Sequence, residues 1–369
     1  MRILHTEASC GWGGQEIRIL SEAQGLIDRG HEVRLVCPSE ARIFQEAPRF
    51  GVPVEALPIG RKRLRGVLAL RAYLKRHAFD VINTHSSTDA WLAAFACRLV
   101  AVAPPIVRTR HISAPLPDNA ATRWLYASAT SHIATTGEAL REQLLTTLSV
   151  APERIVSVPT GVDPARYHPV DPAGKIARRR QLGLPVDAPL VGIVATLRSW
   201  KGHRFLVEAF AVGLPSSAHL VIVGDGPQLE ALMAQIAQLG LQDRVHLVGN
   251  HPDVVPWLQA LDVFVLPSYA NEGVPQALMQ AMACGLPCVT TNVGAIPELA
   301  RDDLTAKVVP AQDADEIRLA IVELLADESL RSRLGMAARE HVVSTHGRAL
   351  MLDRMEALFL KAVADARAL

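Results

Sequence analysis

Short runs of β-branched and aliphatic residues alternate with longer amphipathic stretches along most of the chain. This alternation is typical of a parallel sheet whose strands are connected by helices. We therefore predict an α/β fold. The predicted strands are Arg2–Thr6, Glu32–Cys37, Val81–His85, Ile106–Arg110, His132–Thr135, Leu190–Ala195, His219–Gly224, Val245–Gly249, Val263–Leu266 and Pro287–Thr291.

The 369 residues are enough for two domains of ordinary size, each with its own core. A proline-rich segment, residues 158–169, is typical of a domain boundary, and we place the hinge there. We therefore predict an N-terminal domain over residues 1–169 and a C-terminal domain over residues 188–345, with a connector between them. A last helix is predicted from about residue 348 to residue 366.

One stretch of the second half, residues 268–299, has the features of a binding site. A predicted strand ends at Pro267, and a polar loop with Glu272 leads into a helix with Pro275 in its first turn, where a missing N–H costs nothing. A second turn of small residues, 292–298, follows the next strand and is predicted to open another helix. Because helix N-termini present unpaired N–H groups, we expect an anionic or hydroxyl-rich ligand here.

Three further segments place polar residues at the ends of predicted strands. A glycine-rich loop, residues 10–16, follows the first strand, but its glycine spacing is not that of a dinucleotide-binding loop. Arg198 and Lys201 lie in a strand-to-helix loop, where a guanidinium and an ammonium suit a diphosphate. His85 and His111 each end a strand, and ligands bind at the carboxyl ends of strands in open α/β sheets. Taken singly, each also fits an ordinary loop charge or a structural histidine.

The overall composition excludes some functions. The net charge of +1 gives no reason to expect a nucleic-acid partner. The five cysteines lack the spacing of a metal site and fit a reducing compartment, and no apolar leader segment follows the first strand. We therefore expect a cytoplasmic protein that is either soluble or peripheral at the inner face of the cell membrane.

A basic segment, residues 61–76, contains seven lysine and arginine residues and no acidic one. Leucines interleaved in its second part predict an amphipathic helix. Its cations either form a solvated helix face or attach the protein to anionic lipid or a phosphorylated acceptor, since each cation near such a surface contributes roughly 1 kcal/mol. The sequence leaves both alternatives open.

The 268–299 stretch resembles the donor-binding signature of glycosyltransferase family 4. The matching residues are Glu272, Gly273, Pro275, Gly285, Pro287, Gly294, Pro297 and Glu298. The 158–169 segment is similar to the linker of the same family, so the resemblance covers nearly the whole chain.

Two positions depart from that family's pattern. Gln280 stands where the family has a second glutamate, and Thr196 stands where it has an arginine, although Lys201 and Gly202 match. The amide oxygen of Gln280 still accepts a hydrogen bond but brings no charge. Arg198 would have to replace the missing arginine.

The resemblance implies the GT-B fold, in which two Rossmann-like domains face a cleft and a C-terminal helix, residues 348–369, returns to the first domain. It also implies a retaining, metal-independent transfer from a UDP- or GDP-type nucleotide sugar to a glycan or lipid-linked acceptor, in polysaccharide or lipopolysaccharide assembly. The implied residues are His111, Glu272, Arg198 and Lys201 for catalysis, Gly13, Gly14, Asn250, Gly273, Val274, Pro275, Gln280 and Gly294 for the donor, and His85 and Ser86 for the acceptor.

Two other functions remain as alternatives. A sugar-nucleotide epimerase on the same fold would need an acid/base set that the sequence does not reveal. A nucleotide-binding protein that has lost catalysis is suggested by Gln280 and Thr196. Donor hydrolysis separates the last reading from a working transferase.

Overall fold

The computed structural model describes residues 1–111, 116–148, 150–270 and 272–368. The chain forms two compact units, one made of Met1–Gly161 with Ala349–Leu369 and one made of Val162–Arg348. Each unit contains a single parallel sheet covered by helices.

The first unit is built on a seven-stranded sheet. Its hydrogen-bonded order is β3-β2-β1-β4-β5-β6-β7, and all neighbours are parallel. The strands are β1 (Arg2–Thr6), β2 (Glu32–Cys37), β3 (Val54–Ala56), β4 (Val81–Thr84), β5 (Ile106–Arg110), β6 (His132–Thr135) and β7 (Ile155–Ser157). The short edge strands β3 and β7 carry too little pattern to be recognised in the sequence, whereas the five others agree with prediction to within one residue.

Helices connect these strands and cover the sheet. They are α1 (Gly14–Asp28), α2 (Arg42–Glu46), α3 (Leu64–Arg76), α4 (Ser87–Arg98), α5 (Ala120–Trp124) and α6 (Glu138–Thr147). As predicted, α1 stops before Gly30, whose φ of +84° is readily adopted only by glycine. Helix α4 begins with a capping box formed by Ser86 and Asp89.

The second unit is built on a six-stranded sheet with the order β10-β9-β8-β11-β12-β13, again all parallel. The strands are β8 (Leu190–Val194), β9 (His219–Val223), β10 (Val245–Gly249), β11 (Val263–Leu266), β12 (Cys288–Thr290) and β13 (Lys307–Val308). The helices are α7 (Pro172–Gln181), α8 (His203–Ala211), α9 (Leu229–Gln238), α10 (Val255–Ala260), α11 (Gln276–Ala283), α12 (Ala314–Ala326) and α13 (Glu328–His346). One continuous hydrophobic core joins these helices to the sheet.

The last helix, α14 (Arg348–Arg367), packs into the core of the first unit, as the resemblance implied. Met351, Met355 and Phe359 are buried there with residues of β1 and α1. The returning helix therefore completes a core that residues 1–161 begin.

The boundary between the units lies earlier than the predicted end at residue 169. Residues 162–169 belong to the second unit, and part of the predicted connector is helix α7. This helix starts regularly, with the Asp171 side chain accepting the Gly174 N–H and with Pro172 at its first position. Buried Arg179 ties α7 to the unit through Asp262 at 2.7 Å, so the segment is part of a domain.

None of the helices in the described part of the chain is long and apolar enough to cross a bilayer. In the same residues, no group of three or more His, Cys, Asp or Glu side chains is arranged to hold a metal ion.

Candidate functional site

The order of the strands reverses once in each sheet, and the predicted site residues follow the strands at these points. In the second unit the reversal lies between β8 and β11, which precede Lys201 and Glu272 respectively. In the first unit it lies between β1 and β4, and His85 directly follows β4. A crevice outside the carboxyl ends of the strands at such a point is the usual ligand site of an open α/β sheet.

The central contact of the second unit is an ion pair between the two predicted residues. Lys201 Nζ lies 2.6 Å from Glu272 Oε1, and the Ser268 hydroxyl donates to the same oxygen at 2.6 Å. Glu272 is buried, whereas Lys201 keeps about a fifth of its side chain exposed, 19%. The pair therefore places a shielded carboxylate beside an ammonium that solvent or a ligand can reach.

Backbone contacts hold the two loops of this ion pair together. The Tyr269 N–H donates to Trp200 O at 2.8 Å. Gly202, directly after Lys201, has a φ of +76°, and a Cβ on it would lie 2.0 Å from Pro267 O. Only glycine fits at this close approach, which explains why a glycine follows the lysine.

The turn after β12 packs on Glu272 from the other side. The Ala295 N–H donates to Glu272 O at 3.2 Å, and a Cβ on Gly294, whose φ is +62°, would lie 2.1 Å from that oxygen. The Thr291 hydroxyl also donates to Ser268 O at 2.6 Å. We predicted that this turn opens a helix, but the structure has only a three-residue 3₁₀ turn, Ile296–Glu298.

Helix α11 follows Glu272 after a short loop in which Val274 is buried and Gly273 half-buried. Pro275 occupies the N-cap position, one residue before the predicted first turn, and still precedes the unpaired N–H groups of the helix. Gln280 is half-buried on this helix. Gly285 follows the end of the helix with a φ of +73°, as expected for a helix stop.

Two predicted residues of the second unit are not drawn into this cluster. Arg198 is exposed, and its guanidinium lies 5.7 Å from the ring centroid of Trp200. Thr196, at the family's arginine position, is also exposed, and Asn250 is an exposed residue following β10, two strands from β8. The structure thus joins Lys201, Glu272 and the Gly294 turn, whereas Arg198 and Asn250 lie outside their contacts.

In the first unit, three histidines form a continuous chain of hydrogen bonds. His85 Nδ1 lies 3.0 Å from His111 Nε2, and His85 Nε2 lies 2.8 Å from His5 Nδ1. The rings of His5 and His85 are stacked, with centroids 5.1 Å apart. His5 and His85 are buried and His111 is half-buried.

The acceptor-side residues are held by a buried carboxylate. Asp89 accepts hydrogen bonds from the His85 N–H at 2.9 Å, from the Ser86 N–H at 2.8 Å and from the Thr6 hydroxyl at 2.6 Å. The Ser86 hydroxyl also donates to Asp89. The start of α4 is therefore fixed to the end of β1.

The glycine loop after β1 leads into α1. Gly13 is the N-cap of α1, and Gly14 is its first residue. A Cβ on Gly13 would meet Glu16 Oε2 at 3.9 Å, an ordinary van der Waals distance, so no close approach requires glycine here. Burial raises the pKa of Glu7, which precedes this loop, to about 8, although Ser9 and Gln15 donate to its carboxyl group.

The ring chain is electrically neutral at ordinary pH. Burial lowers the pKa of His5 to about 3. Burial, reinforced by neighbouring histidines and the positive charge of Arg18, holds the pKa of His85 well below its usual value. Burial together with Arg18 and Arg108 does the same to the pKa of His111.

Sequence reasoning missed three residues of these clusters. His5 stands in the middle of an apolar strand, and Asp89 and Ser268 are single polar residues next to predicted site residues. The only signal for His5 was a titratable ring on one strand of a sheet in which two other strands are followed by histidines. Ser268, as the first polar residue after β11, could have been found from its position.

Comparison with known proteins identifies the chain. Residues 12–166 match the family described as Glycosyltransferase Family 4, and residues 175–341 match Glycosyl transferases group 1. The chain belongs to glycosyltransferase family 4. The first match covers most of the first unit and the second match covers most of the second unit. The chain therefore contains both domains of a glycosyltransferase of this family.

Curated relatives in this family resemble the chain over most of its length. A D-inositol 3-phosphate glycosyltransferase of Xylanimonas cellulosilytica is 29% identical, with 89% of this chain and 87% of the relative covered. A UDP-Gal:alpha-D-GlcNAc-diphosphoundecaprenol alpha-1,3-galactosyltransferase of Escherichia coli is 26% identical, with 99% and 98% covered.

Solved structures establish the fold as GT-B. Anabaena HepE in complex with UDP matches with a TM-score of 0.86 at 21% identity, covering 98% of this chain and 100% of that one. WaaG, a glycosyltransferase of lipopolysaccharide biosynthesis, matches with a TM-score of 0.72 at 17% identity, covering 96% and 99%. Two Rossmann-like units and a returning C-terminal helix are therefore the shared architecture.

Proposed function

We propose that this glycosyltransferase moves a sugar from a nucleotide-diphosphate sugar to a glycan or lipid-linked acceptor, with retention of anomeric configuration and without a bound metal ion. The observation that carries the proposal is the Lys201–Glu272 pair and the Gly294 turn packed on it. Relatives that act on UDP-galactose or carry UDP make a uridine nucleotide the first candidate donor. GDP is the alternative.

Lys201 supplies the positive charge that the leaving diphosphate requires. In the free protein this ammonium is paired with Glu272, so a bound diphosphate competes with the carboxylate for it. Charge placed where a leaving group develops is usually the largest contribution to catalysis. The exposed guanidinium of Arg198, three residues earlier, is free to reorient over Trp200 and adds a second cation.

Glu272 has a different task, which is to orient the transferred sugar. A buried carboxylate with Ser268 on one oxygen is a fixed hydrogen-bond acceptor, and sugar hydroxyls are its natural donors. Gly273, Val274 and the start of α11, which follows Pro275, come directly after this glutamate and bring backbone N–H groups to the same place. Gln280 then accepts from ribose, and Asn250 contacts the base. From the family resemblance we assign Gly13, Gly14 and His111 to the donor and Ser86 to the acceptor.

A thermal-shift screen tests the donor. UDP and GDP are added first, followed by UDP-glucose, UDP-galactose and GDP-mannose, since a ligand at 100 times its Kd raises the unfolding free energy by about 2.7 kcal/mol. One nucleotide diphosphate should raise Tm and should lose this effect in Lys201→Met. No shift with any of the five compounds would overturn the proposal.

Product analysis tests the reaction itself. With the donor that binds, release of nucleotide diphosphate should continue in the presence of a chelator, and the NMR coupling of the anomeric proton in the product should match that of the donor. Binding without any sugar release would favour the reading as a protein that has lost catalysis. Loss of activity on chelation would contradict metal independence alone, and an inverted anomeric centre would contradict retention of configuration alone.

We also propose that the first unit approaches its acceptor at an anionic membrane surface. In the basic segment 61–76, all cations except half-buried Arg71 are exposed, and Leu64 and Leu68 are exposed with them at 70% and 48%. Beside this segment, the rings of Trp91, Phe95 and Trp124 stack on one another. Lys62 lies 5.7 Å from the Trp91 ring and Arg98 lies 5.5 Å from the Trp124 ring.

Aromatic rings flanked by cations are typical of surfaces that bind at the membrane interface. Sedimentation with phosphatidylcholine vesicles, with and without phosphatidylglycerol, tests the proposal. Binding should require the anionic lipid and fall with salt. The double variant Arg63→Glu/Arg65→Glu should abolish it, whereas Arg354→Glu/Arg367→Glu, on exposed positions of α14, should not. Equal binding to both vesicle types, or equal loss in both variants, would contradict it.

A further inference from the structure

The three-histidine chain contains one nitrogen that decides the state of all the others. His5 Nε2 is buried and has no hydrogen-bond partner among the residues that the structure describes. A neutral imidazole has one N–H and one acceptor nitrogen, and a buried N–H without a partner forfeits a hydrogen bond. The proton of His5 therefore belongs on Nδ1, the nitrogen that has a partner.

The tautomer of His5 determines the tautomers of the other two histidines. Because His5 Nδ1–H donates to His85 Nε2, that nitrogen of His85 is an acceptor and the proton of His85 lies on Nδ1. Because His85 Nδ1–H donates to His111 Nε2, the proton of His111 lies on its own Nδ1. One unpartnered nitrogen on β1 thus sets the tautomer of a ring two strands away.

The surroundings keep all three rings neutral, which the chain requires. Arg18 of α1 and Arg108 of β5 are the cations that face the rings, and both oppose protonation of His111. Asp89 of α4 accepts from the backbone N–H of His85, and no hydrogen bond of the described residues joins its carboxylate to a histidine ring. An imidazolium at His85 or His111 would put a proton on the accepting nitrogen and break the donor-to-acceptor order.

We propose that His5 and His85 are positioning residues that fix His111 as an Nδ1–H donor aimed at an uncharged oxygen of the transferred sugar. This inference rests on the proposed function, in which His111 contacts that sugar. It also reassigns His85: both of its ring nitrogens are used inside the protein, so its side chain supports His111 and Ser86 is left to contact the acceptor.

Three substitutions at His5 test whether its side chain orients His111 through a hydrogen bond or only fills space in the core. His5→Phe keeps a ring but removes the donor. His5→Asn places an amide N–H near the position of Nδ1, and His5→Gln places its amide near the position of Nε2. If Nδ1–H is the decisive group, Asn should restore the chain, whereas Phe and Gln should not.

The direct measurement is the tautomer of His111 by nitrogen-15 NMR of histidine-labelled protein, with the signal assigned by its loss in His111→Gln. Wild type and His5→Asn should show His111 protonated on Nδ1. His5→Phe and His5→Gln should show a mixture of both tautomers. A wild-type His111 protonated on Nε2, or an unchanged tautomer in His5→Phe, would overturn the proposal whether or not the protein transfers sugar.

Kinetics provide the second readout. In His5→Phe, kcat for sugar release should fall about tenfold while KM for the nucleotide sugar stays within about twofold, since an orienting contact is lost and the binding of the nucleotide is not. His5→Asn should recover most of kcat. If the wild type turns over and all three variants match it, the proposal fails while the proposed function stands. If the wild type releases no sugar from any donor, the proposed function fails and the NMR result still decides the tautomer.

Discussion

The residues at the ends of the two sheets differ in charge. In the second unit, Lys201 and Glu272 form a charged pair of which one member is accessible. In the first unit, His5, His85 and His111 form a chain whose rings are kept neutral by burial. On the proposed function, the accessible cation of the second unit stabilises the leaving diphosphate and its buried carboxylate orients the sugar, whereas the neutral rings of the first unit present an oriented N–H to an uncharged oxygen of that sugar.

Removing the ammonium should have the largest effect. We expect Lys201→Met to lower sugar release roughly 100- to 1000-fold, or by about 3–4 kcal/mol, because it deletes a charge at the leaving group. The assay is release of nucleotide diphosphate at saturating donor. Lys307→Met is the matched control, since Lys307 pairs with Asp303 and Glu323 in the same unit and has a similar exposed fraction of 16%. Equal losses in the two variants would show that only general charge matters.

The second largest effect is expected from a substitution that displaces the turn packed on Glu272. In Gly294→Ala the new Cβ would meet Glu272 O at 2.1 Å in a left-handed conformation, so we expect a loss of about 2–4 kcal/mol in unfolding free energy. Gly240→Ala is the control, because its φ of +65° is similar but no atom lies within 4 Å of the Cβ. Denaturant unfolding monitored by fluorescence measures both. A control as unstable as Gly294→Ala would show that backbone strain alone, and not the packing on Glu272, is responsible.

The neutral side of the comparison predicts a pH effect. An unfolded histidine has a pKa near 6.5, whereas burial lowers that of native His5 to about 3. Below pH 6.5, His5 therefore binds a proton in the unfolded chain but stays unprotonated in the native protein. The unfolding free energy consequently falls as pH falls. Between pH 6.5 and 5.5, His5→Phe should lose about 1 kcal/mol less than wild type. Parallel losses in denaturant unfolding at the two pH values would show that native His5 is protonated.

The sequence allowed more to be predicted about the cluster of Lys201, Glu272 and Gly294 than about the three-histidine chain. Glu272 and Gly294 belong to a compact stretch in which local turn chemistry and helix starts are visible, so their proximity followed from two adjacent strands. The contact of Lys201 with Glu272 required the strand order, which the family resemblance implied.

The histidine chain could not be predicted in the same way. Its rings come from three strands, and their contacts depend on side-chain rotamers that no local pattern specifies. The 3₁₀ turn at Ile296–Glu298 was mistaken for a helix start because Pro and Glu favour both. Helix α7 was read as a connector because Pro172 and Gly174 lie at its start and Gly183 and Pro185 follow its end.

The smallest expected effect concerns the missing second glutamate. We expect Gln280→Glu to change turnover and nucleotide affinity by less than about 0.5 kcal/mol, since an amide oxygen is able to accept a ribose hydroxyl as a carboxylate does and a charge on this half-buried side chain is partly screened. Gln280→Leu, which removes the acceptor at similar size, should weaken nucleotide binding by about 1 kcal/mol. Titration calorimetry with the nucleotide diphosphate and the release assay measure both variants. A large gain in Gln280→Glu would mean that ribose requires the charge, and the present chain would then be an impaired member of its family, with its loss at the charged end.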